Sequence, residues 1–234
     1  MDLTWAVPGQ SWVDTRRLGA SPSWYTAVRQ AGHAGIVLDV ATGPVAPDVT
    51  AARQAGLAVA LFQGYWPAAW AGGAPEAQAR ARQAVAAAQA AQYPSGAVLW
   101  LDVEDWPATA APAAVAAWMG AWADLVAAAG YLPGGYLGLP LPAGVSAGTL
   151  APHATGICLW WRGSPAAPVP FLSWAQTAWN QDLAGATGDL SVVRRPVPVL
   201  APQAPPAAPG PGVVTRAQLV AGLQAFQRAV EGLA

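Results

Sequence analysis

The sequence predicts an α/β domain of the (β/α)8 type, a TIM-like barrel with a degenerate second half. A Pro-rich linker and a C-terminal helix are expected to follow it. Two patterns predict the barrel. Eight short apolar runs recur through residues 1–195, several of them continuous for four to eight residues, as parallel strands buried on both faces require. Helical stretches separate the early runs and fade into Gly/Pro-rich connections after Tyr131. Composition supports a large core: 54% of residues are hydrophobic and 10% charged, against about 25% charged in an ordinary soluble protein. That balance excludes a disordered chain, except locally. A flavodoxin-like open sheet is the alternative, and it would need fewer strands and stronger helices towards the C-terminus.

In chain order the strand runs are SWVD (11–14), AGIVLDV (34–40), GLAVALFQ (56–63), GAVLWLDVE (96–104), YLPGGYLGL (131–139), TGICLWW (155–161), LSWAQTAW (172–179) and GDLSVV (188–193). Helices are expected over 23–32 and 47–56, each closed by a glycine stop signal, and over 75–92 and 111–130. The barrel is assigned to residues 1–195. Residues 196–212 carry seven prolines, which fix φ and donate no hydrogen bond, so this stretch reads as an extended linker. Residues 213–234 read as an amphipathic helix. Thr215 is its N-cap, and one stripe holds Leu219, Leu223, Phe226, Val230 and Leu233. That helix either docks on its own barrel or meets a partner.

Several function classes drop out early. The net charge is −1, all 11 basic residues are Arg and no positive run occurs, so a dedicated nucleic-acid binder is not expected. Cys158 is the single cysteine, which excludes an intrachain disulfide and a cysteine-built zinc site. His33 and His153 stand apart with no ligand-like neighbours, and no metal site is expected. No nucleotide-binding glycine motif, G-x-S-x-G or H-E-x-x-H occurs, so no cofactor is implied. No stretch has the length and apolar density of a membrane span. MDLTWAVPGQ lacks the basic and apolar regions of a signal peptide.

Polar residues cluster at the ends of the apolar runs, and in a parallel barrel the C-terminal strand ends form the working face. Asp14 ends the first, Asp39 the second, Gln63 the third, and Asp102 and Glu104 the fourth. Tyr136, Trp160 and Gln176 fall late in the next three, and Asp189 belongs to the last. Burying an ionised carboxylate is costly unless it is paired or faces a solvated cleft. Taken singly, Asp14 or Asp39 caps a following helix just as well, and Asp189 a turn. Five acids in matching places fit a common cleft better. VLWLDVEDW (98–106) is the sharpest local signal. Residues two apart on a strand share a face about 6.6 Å apart, so Asp102 and Glu104 enter the mouth together. Crowded carboxylates cannot both ionise freely, and a raised carboxyl beside an ionised partner is what general-acid cleavage of a glycosidic bond requires. Thirteen tryptophans complete the picture; Trp66, Trp106 and Trp160 are candidates to line the cleft with flat faces suited to sugar rings, while Trp118 and Trp122 are helix core.

Together these motifs resemble the barrels related to glycoside hydrolase family 25, the lysozyme-type muramidases, and the bacterial glycoside-hydrolase-like domain of unknown function. The resemblance spans about residues 8–195 and rests on WVD at Asp14, HAGIVLDV at Asp39, VLWLDVE, the Gly-Tyr strand at Tyr136, ICLWW and GDLSVV. It implies that Glu104 is the catalytic acid, Asp102 its partner, and Asp14 and Asp189 the flanking acids. Tyr136 matches the family's fifth-strand aromatic; with it, Asp39, Gln63, Trp66, Trp106, Trp160 and Gln176 are expected to contact substrate from their places at or just after the strand ends. The first strand departs from the family's G-x-D-x-S, reading SWVDTR. Hydrolysis of bacterial cell-wall glycan, a peptidoglycan-like polysaccharide, is the expected function. A catalytically silent glycan-binding or structural module of a virion or cell surface is the alternative, and a barrel enzyme of unrelated chemistry a third. Activity outside the cell or on the wall is expected; the lysine-free composition and the lack of a leader point to a phage-encoded or virion-associated product.

Overall fold

The computed structural model describes residues 2–16, 18–64, 72–104, 110–138, 150, 157, 159–162, 172–182 and 187–203, the stretch from 159 to 188 largely as backbone. Trp66, Trp106, Cys158, His153 and residues 204–234, which include the expected C-terminal helix, lie outside them.

The described chain forms strands β1 (Leu3–Ala6), β2 (Ser11–Thr15), β3 (Gly35–Asp39), β4 (Ala58–Gln63), β5 (Val98–Val103), β6 (Leu132–Leu137), β7 (Leu159–Arg162), β8 (Leu172–Asp182), β9 (Thr187–Val193) and β10 (Val197–Leu200). Helix α1 (Pro22–Gln30) follows β2, α2 (Ala46–Gln54) follows β3, α3 (Gly73–Ala90) follows β4 and α4 (Pro112–Ala128) follows β5. Gly32 and Gly56, just past α1 and α2, adopt φ of 91° and 83°, the left-handed turn that ends a helix and that glycine enters without steric cost.

The strands form one curled α/β sheet in the order β1-β10-β4-β3-β2-β9-β8-β7-β6-β5, and β4 also pairs with β5 through Leu61↔Leu99 to Gln63↔Leu101. Strands β2 to β8 run parallel where they pair with one another, whereas β9 lies antiparallel to both β2 and β8. The eight expected runs are all strands, and the fold is barrel-like, but it departs from a regular (β/α)8 pattern. Of the eight expected strands β9 is reversed, β10 adds a further antiparallel strand beside β4, and the four described helices all sit between β2 and β6.

Val197–Leu200, expected as the start of the linker, instead form a fully buried strand. It pairs along its length with β1, from Leu3↔Leu200 to Ala6↔Val197, and touches β4 at Leu200↔Val59. Proline content misdirects the sequence reading here: Pro198 cannot donate a ladder hydrogen bond, yet its neighbours Val197, Val199 and Leu200 are all buried apolar residues. The chain beyond is tied to α2, where Arg53 Nε donates to Ala201 O at 2.9 Å and Gln203 N donates to Arg53 O at 3.0 Å.

Two cores follow from strand alternation. The outward residues Ile36, Leu38, Val59, Leu61, Leu99 and Leu101 pack under the helices. On α3 the buried face is Ala77, Ala81, Ala84 and Ala88, small side chains that let the helix lie close to its neighbours. The inward residues Trp12, Val37, Ala60, Phe62, Val98, Trp100 and Val193 form a second cluster, joined by Ala6, Val197 and Val199 of the β1–β10 pair. Two glycines make room for its large rings: a Cβ on Gly35 would strike the Trp12 indole, and one on Gly134 the Trp100 indole.

Candidate active site

The site lies one inward step beyond that apolar cluster. On β2 the step after Trp12 is Asp14, on β3 the step after Val37 is Asp39, and on β5 the step after Trp100 is Asp102, then Glu104. Asp189 arrives differently. It lies near the start of β9, and because β9 runs backwards its start reaches the same rim as the other strands' ends; Asp189 pairs directly with Asp14. Like charges directly opposed on neighbouring strands are unfavourable, so this pair is held in place by the surrounding fold.

Asp102 is almost wholly enclosed, with a side chain 3% exposed, whereas Glu104 is 22% exposed. Arg16, two residues beyond Asp14 and half-exposed, reaches across from β2 to both. Its Nη2 donates to Asp102 Oδ2 at 2.7 Å and lies 3.4 Å from Glu104 Oε1. Its backbone is tied to the next loop, with Thr42 Oγ1 donating to Arg16 O at 3.4 Å. Asp14 Oδ1 and Asp102 Oδ1 are buried and have no hydrogen-bond partner among the described residues. Gly138, at the end of β6, admits the Glu104 carboxylate, which a Cβ there would strike, and Tyr136 lies beside it.

Burial dominates the ionisation of this cluster. It pushes the Asp14 carboxyl well above the usual carboxylate range; the Asp189 charge adds to the rise and the Arg16 guanidinium opposes it. Asp102 is likewise raised well above that range by burial and by the Glu104 charge, again against Arg16. The Tyr136 phenol is raised by its enclosure and by the carboxylates around it, and therefore stays neutral. Arg16 is raised overall by Asp102 and Glu104 even though partial burial works the other way. No group of three or more His, Cys, Asp or Glu arranged to hold a metal ion occurs among the described residues.

Asp39 is at the rim but is tied down. Its Oδ1 accepts from Ala41 N at 2.8 Å and from Gly64 N at 2.9 Å, joining the ends of β3 and β4; burial raises its carboxyl and these two donors restrain the rise. Gly64 has to be small, because a Cβ would collide with that carboxylate. Gln63 is a correction. It faces away from the mouth, accepting from Trp122 Nε1 at 2.7 Å and donating through Nε2 to Arg80 O at 2.9 Å. The reason is parity: Phe62 takes the inward position on β4, so its neighbour points to the helices.

Trp160 pairs with Gly135, and it is Trp161 that pairs with Tyr136. Gln176 pairs with Ser191, which is also opposite Trp12, so it sits two register positions deeper than the Asp14–Asp189 level. His33 is remote from this cluster, with Nδ1 3.0 Å from Ser11 Oγ at the start of β2. The sequence reading missed Arg16, Gly64 and Gly138. Arg16 carries the clearest available signal, since Trp12, Asp14 and Arg16 alternate in the same parity. It also missed buried Asp48, a structural acid of α2 that accepts from Gly19 N and from the Tyr25 hydroxyl.

Comparison with known proteins adds to this geometry. A family profile described as Rv2525c-like, glycoside hydrolase-like domain matches residues 23–186. Curated protein sequences give no match. The fold is similar to that of the Tat-secreted protein Rv2525c of Mycobacterium tuberculosis, solved in complex with HEPES and with L-tartrate: the identity is 17% and the TM-score 0.62, covering 80% of this chain and 96% of that one. An uncharacterized B. stearothermophilus protein gives 19% identity and a TM-score of 0.62, covering 80% of this chain and 97% of that one. The modular autolysin LytC from Streptococcus pneumoniae gives 15% identity and a TM-score of 0.57, covering 79% of this chain and 46% of the autolysin. LytC is also known in complex with a synthetic peptidoglycan ligand.

Proposed function

Because the chain belongs to the Rv2525c-like, glycoside hydrolase-like family, we propose that it cleaves a β-glycosidic bond in bacterial cell-wall glycan, with Glu104 as general acid and Asp102 as its anionic partner. The observation that carries this reading is the convergence of Asp14, Asp102, Glu104 and Asp189 on one rim from three strands whose lower interior is apolar. The fold is read as a (β/α)8-derived barrel whose four described helices all lie in its first half.

Glu104 gives its proton to the glycosidic oxygen, and the leaving sugar departs as an alcohol. Asp102, with Asp14 and Asp189 behind it, stabilises the positive charge that builds at the anomeric carbon. Water then adds to that carbon and returns a proton to Glu104. Asp102 and Glu104 stand on the same strand and touch one Arg16 nitrogen at 2.7 and 3.4 Å, which keeps their facing oxygens within about 6 Å, closer than the roughly 6.5–9.5 Å of an inverting pair. An N-acetyl group of the substrate serves as the internal nucleophile, and the product keeps its anomeric configuration. Such a function places the protein at the cell wall; no helix among the described residues is long and apolar enough to cross a membrane.

Clearing of purified peptidoglycan tests the reading. Wild-type protein is expected to clear the suspension and release reducing ends, and Glu104→Gln to lose roughly 10²–10⁴-fold of that rate while remaining folded. Equal rates would remove Glu104 from the role. Glycan binding with no product by mass spectrometry would instead make the protein a non-catalytic glycan-binding module.

A further inference from the structure

Arg16 is a cation at the rim to which the proposed mechanism gives no task. It follows Asp14 in the same parity and spans from β2 to β5, 86 residues away in sequence. Among the described residues, the groups around the Asp102–Glu104 pair are acids and a phenol: Asp14 from β2 acts on Asp102, Tyr136 from β6 lies beside both, and Asp39 from β3 and Asp189 from β9 act on Asp14. Among the described residues, Arg16 is the cation that acts on Asp14, Asp39 and Asp102 alike.

Its placement between the two carboxyl groups is uneven. Contact with Asp102 is a short charge-assisted hydrogen bond at 2.7 Å, whereas Glu104 is at 3.4 Å. Enclosure works in the opposite sense, because Asp102 is the deeper group and burial favours its neutral form. Two carboxyl groups this close release their protons in steps that belong to the pair. Over a range of pH they hold one proton between them, and its location depends on which influence is larger. General-acid cleavage by Glu104 needs that proton on Glu104.

We propose that Arg16 is the positioning residue of this pair: seated firmly on Asp102 and loosely on Glu104, its guanidinium orients both carboxyl groups and directs their shared proton to Glu104. The proposal rests on the glycosidase reading for its consequence, but the arrangement itself has its own readout.

The experiment follows the Asp102 and Glu104 carboxyl carbons by ¹³C NMR in full-length wild type, Arg16→Lys and Arg16→Gln, with Asp102→Asn and Glu104→Gln spectra for assignment. Midway between the two titration steps, the wild type is expected to carry the proton on Glu104. In Arg16→Gln the proton moves to Asp102, whose titration rises by about one pH unit or more. Arg16→Lys falls between the two, since an ammonium keeps the charge without the planar fork. Peptidoglycan cleavage is expected to fall roughly tenfold in Arg16→Gln, the rate equivalent of one pH unit, and to recover in part with Arg16→Lys. A proton on the same carboxyl in wild type and Arg16→Gln, or on Asp102 in wild type, overturns the proposal. Reordered titrations in a protein that cleaves no glycan would uphold Arg16's role and reject the glycosidase reading.

Discussion

The two ends of the strand interior differ by a single inward step. Below, Trp12, Val37 and Trp100 fill the space with buried apolar surface; above, Asp14, Asp39 and Asp102 occupy the next inward positions of the same strands, and on β9 Asp189 stands one inward step above buried Ser191 and two above Val193. The lower layer gains from being closed to water. The upper layer bears the cost of enclosing carboxyl groups, two of which have a buried oxygen without a partner among the described residues. Stability and chemistry are thus separated by one residue pair along each strand, and substitutions in the two layers should have opposite signatures.

The largest expected effect is in the lower layer. Trp100→Ala empties a fully buried site and should destabilise the protein by about 3–5 kcal/mol, read by denaturant unfolding. A matched pair of glycines sharpens the contrast. Gly134→Ala pushes a methyl into the Trp100 ring and should cost about 1–3 kcal/mol. Gly138→Ala pushes one into the Glu104 carboxylate, and its main effect should be on cleavage, a loss of roughly 10²-fold from a displaced acid, with a smaller change in melting temperature. Comparable stability losses and comparable rates for the two would break the division between layers.

Gln63→Ala tests the position that the structure moves out of the mouth. It leaves the Trp122 indole N–H without its acceptor and should cost about 1–3 kcal/mol, with glycan binding and cleavage unchanged. A binding defect without a stability defect would return Gln63 to the cleft.

The smallest effect has the opposite sign. Asp14→Asn removes the buried ionisable carboxyl opposed to Asp189 and should stabilise the protein by about 1 kcal/mol at neutral pH. Because burial raises Asp14 and Asp102 in the folded state, folding retains protons that the unfolded chain releases. The stability they contribute is full below about pH 4, the unfolded carboxyl value, and is lost as pH rises through their raised folded values. Thermal melts of wild type should therefore show higher stability in mild acid than at neutrality, and Asp14→Asn should flatten that slope.

Much of this was legible before folding. The runs that became β2 to β9 were continuous or alternating apolar segments, and the four helices announced themselves by length, spacing and glycine stops. Asp102 and Glu104 shared a face because their spacing matches the strand period. Asp39 stands at the end of β3 as its strand predicts, with its carboxylate bound to the Ala41 and Gly64 amides. Gln63 was misplaced because position at a strand end says nothing about which face a residue takes. β10 was hidden by prolines, whose local preference was overruled by pairing with β1.

By itself, then, the sequence determined what is local: element type, element order and the same-face relation of Asp102 to Glu104, all set by side-chain periodicity within a few residues. Tertiary structure decided what depends on register between distant segments. It reversed β9 so that Asp189 meets Asp14, turned Gln63 towards Trp122, and laid Arg16 on carboxylates 86 and 88 residues away. Such meetings are fixed by how strands close on one another, and no short window of sequence contains both partners.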